Sequence, residues 1–181
     1  SALINKTTDI CMASRAMKDA EIKQATDAWG VAPKEFIVGL DGISVIVNPA
    51  IRINEMTMAE LKNVFTGTAA KWSDLGGPKR DIIVLSRENS SGTFMFFQEH
   101  VLKKADYSPK ARFMTSNSAI IQAVSEDKWA IGYVGLGYAV EAKDKIKMIA
   151  VKADEKTKAV SPSEQTVKDG TYPISRPLYI Y

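Results

Sequence analysis

The stretch that most restricts what this chain can become is Asp81-Ile-Ile-Val-Leu-Ser-Arg87-Glu-Asn-Ser90-Ser91-Gly92-Thr93-Phe94-Met-Phe-Phe-Gln-Glu-His-Val-Leu102. Residues 82–85 are continuously apolar and β-prone, as in a strand buried on both faces. Phe94, Phe97, Val101 and Leu102 then recur at helical spacing, so the segment reads as strand, polar turn and amphipathic helix. Ser90 or Ser91 is placed to cap the helix. A helix N-terminus carries unpaired N–H groups and partial positive charge, which suits an anion. Gly92 permits close approach to the backbone, and Ser90, Ser91 and Thr93 add hydroxyl donors. Arg87, at the strand end, offers a planar fork that matches a tetrahedral oxyanion. The same residue types also serve an ordinary capped helix with a surface arginine, and composition alone leaves both readings open.

Elsewhere the punctuation is regular. Lys18 to Trp29 predicts a helix closed by Gly30. Phe36 to Leu40 and Ile43 to Val47 read as two strands interrupted by a turn or bulge at Asp41-Gly42. Thr57-Met-Ala-Glu60 is a capping box stapled by Met56 and Leu61, and Gly67 stops that helix. Ser116-Asn117 can cap a helix through Val124, Trp129 to Val134 is a strand, and Ile146 to Val151 another. Lys152 to Gly170 is a polar surface excursion before a last strand at Leu178 to Tyr181. Strands alternating with helices at this spacing predict parallel βαβ units and an α/β fold. Ligands of such sheets bind beyond the carboxyl ends of strands, where the Arg87 turn lies.

The bulk properties narrow the function classes. A net charge of +3 in 181 residues tolerates an anionic ligand but makes no case for nucleic acid. No run approaches the roughly 18 apolar residues of a membrane span. Lone Cys11 can form no internal disulfide and reads as a small buried residue, and lone His100 suits a surface or helix-end role. Trp72 and Trp129 read as core. Gly132-Tyr-Val-Gly135-Leu-Gly137 lacks the third glycine and the following acid of a dinucleotide loop and reads as a tight turn. There is no P-loop, nucleophile elbow or metal-ligand spacing, so no cofactor or metal is expected.

Arg87-Glu-Asn-Ser-Ser91-Gly92-Thr93-Phe resembles the arginine-x-acid-x-Ser-Gly-Thr signature of phosphate ABC transporter substrate-binding proteins. Asp9-Ile-Cys-Met-Ala-Ser14-Arg15, Val47-Asn-Pro49, Leu61-Lys-Asn-Val-Phe-Thr-Gly67-x4-Trp72, Ala130-Ile-Gly-Tyr-Val134 and Tyr172-Pro-Ile-Ser-Arg-Pro-Leu178 resemble further family blocks in family order. The resemblance implies a type II periplasmic-binding-protein-like fold of two lobes with a ligand cleft. It places residues 1–47 with 172–181 in a first lobe and 48–171 in a second, which carries the anion site. Ser14 and Arg15 would then face Arg87, Ser90, Ser91, Gly92 and Thr93 across the cleft. It further implies binding of inorganic phosphate by a monomer outside the cytoplasm and its delivery to an ABC-type permease, with no catalysis. The turn alone also admits another oxyanion such as sulfate or molybdate, or a phosphoryl-handling enzyme.

Two departures accompany the resemblance. The family's N-terminal strand region and C-terminal end have no counterpart here, so a fragment with an incomplete first lobe is expected. Better-studied members carry an aspartate, which accepts phosphate's proton, where Arg15 stands, and an acid that braces the arginine where Asn89 stands. Asp9 and Asp41 are the nearest replacements for the proton acceptor.

Overall fold

A computed structural model describes residues 2–181, which fold as two compact units. One comprises the chain up to Asp41 together with Arg176–Tyr181, and the other Gly42–Ser175. The chain therefore changes unit at 41/42 and 175/176, where the sequence reading drew boundaries at 47/48 and 171/172.

In the smaller unit, β1 (Met12–Ala13) pairs antiparallel with β9 (Ser175–Ile180), and β9 lies next to the first half of β2 (Phe36–Val47). Helix α1 (Asp19–Trp29) ends at Gly30, whose φ of 75° places it in the left-handed region that glycine reaches without strain. Contrary to the expected interruption, β2 is one continuous strand of 12 residues. Asp41 is held there by Arg176, whose Nε and Nη2 donate to Asp41 Oδ2 at 3.3 and 3.1 Å. A partner 135 residues away thus outweighs the local turn preference of Asp-Gly. Cys11 is half-buried rather than fully buried.

The larger unit is a mixed sheet covered by helices on both faces. Its strand order is β2, β6 (Ala130–Gly135), β4 (Ile83–Arg87), β5 (Arg112–Met114), with β7 (Lys147–Met148) also on β2. The sheet is not uniformly parallel: β4 runs parallel to β5 and β6, whereas β2 is antiparallel to β6 and β7. A separate two-stranded sheet joins β3 (Glu55–Thr57) in parallel to β8 (Ala150–Lys152). The predicted strand at 146–151 is therefore two short strands in different sheets.

Side-chain alternation sorts the core onto the two faces. Ile43, Val45, Val47, Ile131 and Tyr133 pack with α2 (Met58–Thr66) and α3 (Gly92–His100) through Leu61, Val64, Phe65, Phe94 and Phe97. Ile46, Leu85 and Val134 pack with α4 (Asn117–Glu126) and α5 (Leu136–Glu141) through Ile120, Val124 and Ala139. A Cβ added at Gly132 would come within 2.6 Å of Ile120 Cγ2, so glycine there sets how closely α4 approaches the sheet. Thr57 caps α2 as the sequence predicts. Its Oγ1 accepts from Glu60 N–H at 3.1 Å while Glu60 Oε2 accepts from Thr57 N–H at 2.7 Å. Trp72 is fully buried and donates through Nε1 to Trp129 O at 3.0 Å. The polar excursion carries a further short helix, α6 (Glu164–Lys168), which buries Val167.

Candidate functional site

The junction between β4 and α3 is built by local rules. Glu88 N–H donates to Met114 O at 3.2 Å, the last ladder bond to β5, and Ser91 N–H donates to Glu88 O at 3.0 Å to close a turn. Ser91 is the cap: its Oγ accepts from Thr93 N–H at 3.2 Å, and its carbonyl accepts from Met95 N–H at 3.1 Å. Ser90 is exposed in the turn, whereas Ser91, Gly92 and Thr93 are half-buried. Ser90, Ser91, Gly92 and Thr93 thus lie within one turn of the start of α3, and Arg87 ends β4 just before that turn.

Arg87 is held rather than loose. Its Nη1 donates to Asn117 Oδ1 at 3.1 Å and its Nη2 to Thr115 O at 3.2 Å. Its Nε is buried and has no acceptor among the described residues. These braces follow the neighbouring strand, Thr115 directly after β5 and Asn117 at the start of α4, because β5 pairs in register with β4 and sets Met114 opposite Arg87. Asn89, where the resemblance would put an acidic brace, supplies neither bond.

Beneath the turn runs a chain of buried hydroxyls. Ser86 Oγ lies 3.2 Å from Arg87 O and 2.7 Å from Tyr133 OH. Tyr133 OH lies 2.8 Å from Tyr107 OH, which donates to Phe94 O at 3.3 Å. The chain therefore links the carbonyl of Arg87 to the first turn of α3. Burial raises both phenols above the ordinary tyrosine range, most strongly Tyr107, so each keeps its hydrogen.

Ser14 and Arg15 lie in the smaller unit, after β1. Arg15 makes a bidentate pair with Glu21, Nη1 to Oε2 at 2.8 Å and Nη2 to Oε1 at 2.7 Å, and Nη1 also donates to Ala16 O at 2.9 Å. These bonds hold the Glu21 carboxyl down at about 2, against an opposing effect of burial. Glu21 Oε2 also accepts from Lys18 N–H at 2.8 Å, tying the arginine to the start of α1. Of the two acids considered as proton acceptors, Asp41 is engaged by Arg176, and Asp9 lines an apolar cavity of about 380 Å³ in the smaller unit.

Sequence reasoning did not find Asn117 and Thr115 as braces or the Ser86, Tyr107 and Tyr133 hydroxyls. Asn117 was visible only as a helix-capping residue, since its bond to Arg87 depends on the pairing of β4 with β5.

The PBP superfamily domain matches residues 1–181. The chain belongs to the PBP superfamily. Among its relatives, the phosphate-binding protein PstS of Staphylococcus saprophyticus is 37% identical over 181 residues, 98% of this chain and 56% of that protein. PstS of Staphylococcus haemolyticus is 37% identical over 177 residues, 96% of this chain and 55% of its own length. This PBP-superfamily chain thus spans a little over half the length of these curated relatives. A Clostridium perfringens structure with bound phosphate, assigned as a phosphate ABC transporter substrate-binding protein, superposes with a TM-score of 0.83. It is 30% identical, and the match covers 99% of this chain and 68% of that one. An ABC-type phosphate transport receptor from Vibrio cholerae gives a TM-score of 0.78 at 27% identity over 99% and 68% of the two chains. The fold of this PBP-superfamily chain is the periplasmic-binding-protein-like α/β fold that its sequence blocks resemble. No helix among the described residues is long and apolar enough to cross a membrane.

Proposed function

We propose that this chain is the phosphate-binding part of a transport receptor. It holds inorganic phosphate at Arg87 and the Ser90-Ser91-Gly92-Thr93 turn and serves delivery of the anion to an ABC-type permease outside the cytoplasm. The observation that carries this reading is the braced guanidinium of Arg87 at the end of β4, followed along the chain by the Ser91-capped N-terminus of α3 with Glu88 as the one acid between Arg87 and Thr93. The names of the relatives, and the phosphate bound in the Clostridium perfringens structure, support phosphate as the anion. Ser14 and Arg15 complete the ligand set in this reading, the second lobe is the Arg87-bearing one, the receptor acts as a monomer, and binding makes and breaks no bond. Micromolar affinity corresponds to about 8 kcal/mol. Charge-assisted hydrogen bonds at about 1.5–3 kcal/mol each reach that with a cleft of six or more donors after ordering costs.

Isothermal titration with phosphate tests the reading. Arg87→Ala is expected to weaken binding at least about tenfold while the circular dichroism spectrum is kept. An unchanged titration would place the anion elsewhere. Incubation with phosphate esters is expected to release no product.

A further inference from the structure

The arginine of this site is steered by neutral groups. The two oxygens that hold its terminal nitrogens are the side-chain amide of Asn117, at 3.1 Å, and the main-chain carbonyl of Thr115, at 3.2 Å. Both accept hydrogen bonds and neither carries charge. Together they occupy two of the guanidinium's five N–H groups, one on each terminal nitrogen, so the plane of the fork is set from two points. Asn117 is well supported for this task. It is the first residue of α4, directly after the cap Ser116, whose Oγ accepts from Ala119 N–H at 3.1 Å. Ile120 and Val124 anchor the same helix in the core.

We infer that Asn117 is a positioning and affinity-setting residue for anion binding, aiming Arg87 as an acid would while leaving the arginine's positive charge uncompensated. This inference rests on the phosphate reading of the Arg87 site. A carboxylate at residue 117 would hold the fork equally well, but its charge would oppose an anion on the arginine's other edge. An alanine there would remove the aim and leave the charge. Geometry and charge are therefore separable at one position, which a purely structural role for Asn117 would not allow.

The test titrates phosphate into the wild type, Asn117→Ala, Asn117→Asp and Arg87→Ala at neutral pH and two salt concentrations, with thermal melts of each. Asn117→Asp is expected to melt at or above the wild-type temperature through its new ion pair, yet to bind phosphate at least about tenfold more weakly, with a shallower salt dependence. Asn117→Ala is expected to lose about tenfold in affinity with the wild-type salt dependence. Wild-type affinity in Asn117→Asp would overturn the role of charge, and wild-type affinity in Asn117→Ala would overturn the role of aim. Unchanged binding in Arg87→Ala would instead remove the phosphate reading itself, a different result from either.

Discussion

Tyr133→Phe removes one oxygen from the path Arg87 O, Ser86 Oγ, Tyr133 OH, Tyr107 OH, Phe94 O. It leaves the ring packing alone, since the ring stacks on Phe97 with centroids 4.0 Å apart. The four oxygen–oxygen separations along the path, 3.2, 2.7, 2.8 and 3.3 Å, invite a count of two bonds lost. Counting hydrogens gives one. The three hydroxyls bring three hydrogens and the terminal carbonyls bring none, so four contacts share three hydrogens. Without the Tyr133 hydroxyl, Ser86 still donates to Arg87 O and Tyr107 still donates to Phe94 O. The net loss is one buried bond, about 1 kcal/mol. Tyr107→Phe loses one bond by the same count, and the double variant loses two, so the costs add to about 2 kcal/mol. Urea denaturation of the four proteins at constant slope measures this directly. A cost near 2 kcal/mol for Tyr133→Phe alone, with the double variant about 1 kcal/mol short of additive, would refute the hydrogen count.

Other outcomes follow from features already described. Thr57→Ala opens the capping box of α2 and is expected to cost about 1 kcal/mol in the same assay, whereas a cost of a few tenths would mean the cap is dispensable. Glu21 is held at about 2 instead of 4.5, first by its hydrogen bond with Arg15. A depressed carboxylate stabilises the fold above its unfolded value and loses that contribution as pH falls through the folded one. The advantage of the wild type over Glu21→Gln is therefore expected to be full above pH 4.5 and to vanish towards pH 2, and a gap independent of pH would contradict the pairing. If Arg15 takes the place that the resemblance gives to a proton-accepting aspartate, sulfate is expected to compete measurably with phosphate. Rejection by more than about 10⁴ in a competition titration would require an acceptor not yet identified.

The elements read correctly from sequence are those whose signals are local. The Thr57 box, the Gly30 and Gly67 stops and the Ser91 and Ser116 caps lie within four residues of what they govern, and each appears in the structure. Misreadings occur where a distant partner decides. Asp41-Gly42 reads as a turn until Arg176 is brought beside it. The segment 146–151 reads as one strand because periodicity cannot show that its two halves have different partners. Parallel pairing was expected because alternation of strands and helices carries no information about strand direction once β2 enters antiparallel to β6. The site follows the same division. Arg87 and its serine turn are contiguous and legible, whereas Asn117 is 30 residues on and reaches Arg87 only through the β4–β5 pairing.

The divided run at 147–152 also determines where the chain tolerates changes in length. Lys147 and Met148 pair with Val47 and Ile46, Ile149 N–H donates to Val45 O at 2.9 Å, and Ala150 to Lys152 pair with Glu55 to Thr57. Consecutive residues on one side thus bridge positions that the other side joins by the longer loop 48–54. Lys147 fastens that loop too, donating through Nζ to Ile51 O and to Asn54 Oδ1. The segment acts as a gauge block: one residue inserted between 148 and 151 would put one of the two pairings out of register and turn Ile149 or Val151, both fully buried, towards water. An insertion at the exposed Asp154–Lys158 turn meets no such gauge, so variation in length belongs there and not a few residues earlier.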